Sequence, residues 1–62
     1  MHTYALRGVN VLTDVTDAEN DRASDVAIDV LVDAKFRFGD SLTDVLQTAL
    51  MVGVVLGERY KP

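Results

Sequence analysis

The sequence predicts an α+β fold of ββα pattern. A long antiparallel β-hairpin is expected at about 3–15 and 25–38, with a C-terminal amphipathic helix at about 41–59 on its apolar face. Three observations carry this reading. Apolar and polar residues alternate through the middle of the chain. After Gly39 the apolar period changes from two to 3.6. Finally, 62 residues without a cysteine form at most one small domain, whose core is meagre, so oligomerisation is expected to complete the fold.

The first segment, TYALRGVNVLTDV, alternates in two blocks. Tyr4 and Leu6 share one parity, while Val9, Val11 and Val15 share the other. One extra residue resets the alternation of a strand, so a β-bulge is expected near Gly8. The polar stretch TDAENDRAS then reads as a loop. Within it Thr16 and Glu19 have capping-box spacing, which would give a short helical turn.

The middle segment decides the fold class. Asp17, Asp21, Asp25, Asp29 and Asp33 recur every four residues. On a helix, at about 100° per residue, they would cover an arc of roughly 160°, with Val32 and Phe36 inside it and Ile28 at its edge. No clean apolar face would survive, and like charges four apart weaken a helix. On a strand the separation is nearly complete. Val26, Ile28, Val30, Val32, Ala34, Phe36 and Phe38 fall on one face; Asp25, Ala27, Asp29, Leu31, Asp33, Lys35 and Arg37 fall on the other. The strand reading pairs Val15 with Val26 and Val11 with Val30, and places Arg7 near Asp33.

Gly39 ends the alternation. Asp40 or Ser41 is positioned to cap a helix, and Ser41 and Asp44 have capping-box spacing. Leu42, Val45, Leu46, Ala49, Leu50, Val52, Gly53, Leu56 and Tyr60 form one apolar arc, expected to face the sheet. Arg59 and Lys61 suit the negative end of the helix dipole. Met51, Val54 and Val55 lie on the opposite side. They are the expected interface of a homodimer or larger assembly, because exposed apolar patches mark contact sites.

Composition narrows the function. A formal net charge of −4 and a pI near 4.5 argue against direct nucleic-acid binding, which needs clustered Lys and Arg. The first 12 residues lack the pattern of a signal peptide. The most apolar stretch, ALMVGVVLG, is far shorter than the ~20 residues that cross a bilayer. A cytoplasmic protein with no membrane association is expected.

No chemical motif emerges. His2 is the only histidine and sits at the start of the chain, and neither Ser24 nor Ser41 has a base beside it in sequence. Asp17, Glu19 and Asp21 resemble the start of a calcium loop. Arg22 stands where that loop needs glycine, and Ile28 where it needs a bidentate glutamate. No phosphate-binding glycine loop is present. The expectation is a non-enzymatic chain without cofactor or metal.

The expected function is an acidic protein–protein interaction module. Its concrete form is an inhibitor of a basic or nucleic-acid-binding partner, of the phage or mobile-element antagonist type. Asp25, Asp29 and Asp33 on the outer sheet face, with Asp14, Asp17, Glu19 and Asp21 at the hairpin loop, are the expected contact surface. Carboxylates at regular intervals capture Arg-rich sites through charge-assisted hydrogen bonds. The alternatives are a structural subunit of a homo-oligomeric assembly, or a small-ligand binder with a pocket at a subunit interface, lined by Tyr4, Phe36, Phe38 or Tyr60.

Overall fold

The computed structural model describes residues 1–61. The architecture is α+β, but in the order β1 (His2–Leu6), β2 (Val9–Val15), α1 (Asp17–Phe38) and α2 (Asp40–Arg59). The ββα layout is thus corrected to ββαα. The strand expected at 3–15 is itself the whole hairpin, and the strand expected at 25–38 is helix.

The parity break at Gly8 is a turn rather than a bulge. Arg7 and Gly8 have φ of 51° and 82°, and positive φ at both central residues is the mark of the type I′ turn that joins antiparallel strands tightly. Next to the turn Leu6 faces Val9 and Ala5 faces Asn10. Further along, Tyr4 faces Leu12 and His2 faces Val15. Each of the two register shifts leaves one extra residue on β2, so the bulges lie there. Asp14, at φ 59°, takes up the second in a left-handed conformation that aspartate tolerates better than most residues. As a result Leu12 and Val15, three apart, both turn toward the helices.

Helix α1 starts at the capping box. The Glu19 N–H donates to Thr16 Oγ1 (3.1 Å), and the Thr16 N–H donates back to Glu19 Oε1 (2.9 Å). Acidic Asp17 and Glu19 in the first turn and basic Lys35 and Arg37 in the last suit the helix dipole at both ends. Repulsion between aspartates four apart costs only a few tenths of a kcal/mol per pair. What holds the helix is its buried face. That face is made of Ala23, Ala27 and Ala34, with Leu31 half-buried, at spacings that belong to a helix and not to a strand. The pairs Val15–Val26 and Val11–Val30 do not form, and Val26, Ile28, Val30, Val32, Phe36 and Phe38 are exposed.

One residue joins the helices. Gly39 has φ 82° and ψ −175°; its N–H donates to the Lys35 carbonyl, and its own carbonyl accepts from the Thr43 hydroxyl at 2.6 Å. The chain reverses there and α2 packs along α1. The core comprises Val15, Ala23, Ala27, Met51 and Val55, ringed by Tyr4, Leu12, Leu31, Leu50 and Val54. Large α2 side chains fill the space above the α1 alanines, with Val15 closing the third side. Removing a Val or Met side chain of this kind from water contributes about 1.5–3 kcal/mol.

This arrangement reverses the expected faces of α2. Met51 and Val55 are buried within the chain and Val54 borders them, so the exposed interface patch they were expected to form is absent. The arc expected to meet the sheet includes exposed Leu42, Ala49, Gly53 and Tyr60. Through the middle of α2 large apolar residues stand on both sides, Met51 and Val55 on one and Leu46 and Leu56 on the other, so the apolar arc alone does not choose the inner side. Complementarity to the alanines of α1 does.

Candidate partner-binding surface

Because α1 is a helix, the five aspartates do form one stripe. Successive members advance about 40° around the axis, covering about 160° of its circumference. Asp17, Asp21, Asp25, Asp29 and Asp33 are all exposed, on the side away from Ala27. Ile28, Val32 and Phe36 lie in the same arc between them, and Phe36 is 91% exposed. These three apolar residues were expected in the core, because strand periodicity put them there. On the helix they join the carboxylates in a mixed acidic and apolar face.

Local partners divide the acidic residues into two groups. Around the hairpin the Asp17 and Glu19 carboxylates are engaged, whereas the Asp14 carboxylate has no ion-pair or side-chain hydrogen-bond partner among the described residues. His2 Nε2 lies 2.8 Å from Asp17 Oδ1. Arg59 forks onto Glu19, with Nε donating to Oε2 (2.7 Å) and Nη2 to Oε1 (3.0 Å), and Nη2 also donates to the Asp14 backbone carbonyl (3.1 Å). Glu58 accepts from Arg22. Along α1, Asp33 pairs only with Arg37, one turn away. Asp21, Asp25 and Asp29 have no ion-pair or side-chain hydrogen-bond partner among the described residues. Of the seven residues expected to meet a partner, these three are the unengaged ones on the helix stripe; Glu19 instead serves the fold.

The Arg59 fork, then the bonds to Thr16, hold the Glu19 carboxyl at about 2, below its ordinary 4.5. A depressed folded-state value stabilises the fold fully above the unfolded value, and that contribution is lost as pH falls toward the folded one. Glu19→Gln is therefore expected to flatten the loss of stability between about pH 4.5 and pH 2. Urea unfolding at a series of pH values measures this. An acid limb as steep in the variant as in the parent would refute the role of Glu19.

The hairpin is tied to the helices by polar contacts. Tyr4 Oη donates to Asn20 Oδ1 (2.8 Å), and Thr48 Oγ1 donates to the Ala5 carbonyl (3.1 Å). Burial and the nearby Glu19 charge raise the Tyr4 phenol above its ordinary value, so it remains the neutral donor. Two clefts mark the surface. One, of 190 Å³, lies between the start of α1 and the end of α2, against Ala18, Arg22, Val54 and Glu58. The other is open and includes Tyr4, Ser24, Thr48 and Met51. The aromatic residues expected to line one ligand pocket do not converge: Tyr4 packs at the core, while Phe36, Phe38 and Tyr60 are exposed.

The described residues contain no cluster of three or more His, Asp or Glu able to hold a metal ion. The hydrogen bonds give the His2–Asp17 pair no serine or threonine partner. As a whole helix, α2 is long and apolar enough to cross a membrane by length and composition, which the nine residues of ALMVGVVLG alone are not. In the fold its last turn is instead held by the Arg22–Glu58 and Glu19–Arg59 ion pairs. No protein-family model, curated protein or solved structure matches the chain.

Proposed function

We propose that the chain is a non-enzymatic protein–protein interaction module whose outer α1 face binds a partner of mixed basic and apolar surface. The observation that supports this is the interleaving of Asp21, Asp25 and Asp29, which lack internal partners, with exposed Ile28, Val32 and Phe36. Carboxylates alone would serve solubility. A nearly bare phenylalanine among them serves no purpose in solubility, and apolar groups within a charged rim are the composition of a contact surface. In its concrete form the module is a cytoplasmic inhibitor that occupies an Arg- or Lys-rich surface, including one that otherwise holds nucleic acid.

The test is capture of partners from the source cells by the parent chain and by a triple variant, Asp25→Lys, Asp29→Lys and Asp33→Lys. The substituted positions are exposed, so the helical circular-dichroism signal is expected to persist while a basic partner is lost. Equal capture by both proteins would sink the proposal. Phe36→Ala, tested alone, is expected to weaken the same partner without changing the salt dependence of binding, because it removes apolar contact only.

A further inference from the structure

We propose that the outer face of α2 binds a second copy of this chain, with the two α2 helices antiparallel about a two-fold axis at residue 51. The proposed contact residues are Leu42, Leu46, Ala49, Gly53, Leu56 and Tyr60. At about 100° per residue they fall within an arc of roughly 80°, opposite the buried Met51 and Val55. Tyr60 is 78% exposed and Leu42 52%.

The order of sizes along this face is self-complementary. An antiparallel pair centred on Met51 sets Leu42 against Tyr60, Leu46 against Leu56, and Ala49 against Gly53. In a two-fold interface, residue i of one copy meets j of the other and j meets i, which is the relation these three pairs satisfy. Large residues meet large ones at the ends, and small meets small at the crossing.

The two glycines of α2, Gly53 and Gly57, have no packing role within the chain. A Cβ at Gly53 or Gly57 would meet nothing within 4 Å, and neither position requires positive φ. Glycine in a helix interior costs about 0.5–1 kcal/mol relative to alanine. What glycine permits is close approach of another backbone.

The surface area calls for a partner of this size. A folded monomer of 6.8 kDa exposes about 3,950 Å² by the scaling of monomeric proteins, whereas this chain exposes 4544 Å². The excess of about 600 Å² approaches the ~800 Å² that each partner buries in a standard interface. The radius of gyration, 11.6 Å, likewise exceeds the ~10.6 Å typical of 62 residues.

Charge selects both the helix and its orientation. Two α1 outer faces would set carboxylates against carboxylates, which excludes α1 as the self-contact. An antiparallel α2 pair opposes the two helix dipoles and brings the Lys61 end of each copy toward the Asp40 end of the other.

Sedimentation equilibrium of the full chain across the micromolar range tests the proposal. The parent is expected at twice 6.8 kDa. Ala49→Glu and Gly53→Lys, at exposed positions, are each expected to sediment as single chains with the helical signal retained. Mixing the two variants is expected to restore a dimer, because only an antiparallel pair sets position 49 of one copy against 53 of the other. Tyr60→Ala, which removes an exposed ring, is expected to raise the dimer dissociation constant at least tenfold. A single-chain parent, dimers that survive both charge variants, or no recovery on mixing would overturn the proposal. So would a parent that stays a single chain and co-sediments with phosphatidylcholine vesicles, since α2 would then be meeting lipid.

Discussion

Val55→Asp is expected to leave the chain unfolded. Val55 is 1% exposed and packs with Val15, Ala23, Ala27 and Met51; the nearest guanidiniums, Arg22 and Arg59, are already paired with Glu58 and Glu19. Burying an unpaired charge costs several kcal/mol even after relaxation. The core of a domain this small supplies roughly 3–5 kcal/mol in total. The penalty therefore matches or exceeds the whole stability. Far-UV circular dichroism and amide dispersion in a proton–nitrogen correlation spectrum measure the outcome. A folded variant that unfolds cooperatively would show that Val55 faces outward, as the apolar arc of the bare sequence had it.

Gly39→Ala is expected to have the second largest effect, through the backbone alone. The combination of φ 82° and ψ −175° belongs to a region that essentially only glycine occupies, at a cost of about 1–3 kcal/mol for other residues. A Cβ there would meet nothing within 4 Å, so no steric clash confuses the result. Alanine also favours helix over glycine by about 1 kcal/mol. Both effects push the chain toward one continuous helix from Asp17 to Arg59, which would strip Met51 and Val55 from the α1 alanines. The urea midpoint is expected to fall, and the radius of gyration by small-angle scattering to rise above 11.6 Å. An unchanged midpoint would mean that the Gly39 turn is not strained for alanine.

How much of this was legible in the sequence differs by element. The interruption at Gly8 and the helix after Gly39 stand out, because glycine and a change of period are local signals. Helix α1 does not. Its alternating Val26, Ile28, Val30 and Val32 imitate a strand, while its buried face is written in alanine, which carries little weight in a search for large apolar residues. The capping box at Thr16 and Glu19 was visible and marked the true start of the helix; its 22-residue length was set by packing against α2. For the candidate surface, the carboxylates were identifiable and their grouping was not. Asp17 and Asp21 share a helix with Asp25, Asp29 and Asp33, and the apolar residues between them are outside. The Arg59 fork on Glu19 joins positions 40 apart, and no local pattern announces it.

The two register shifts in β2 bear on aggregation. A two-stranded sheet has an open edge on each side, and a straight edge with exposed valines such as Val9 and Val11 is a template for strands of other chains. Here the ladder steps out of register twice along a strand of seven residues. The stepped backbone groups and the added twist deny an incoming strand a continuous row of donors and acceptors. The bulges thus act against edge-to-edge pairing at the strand that carries Val9 and Val11.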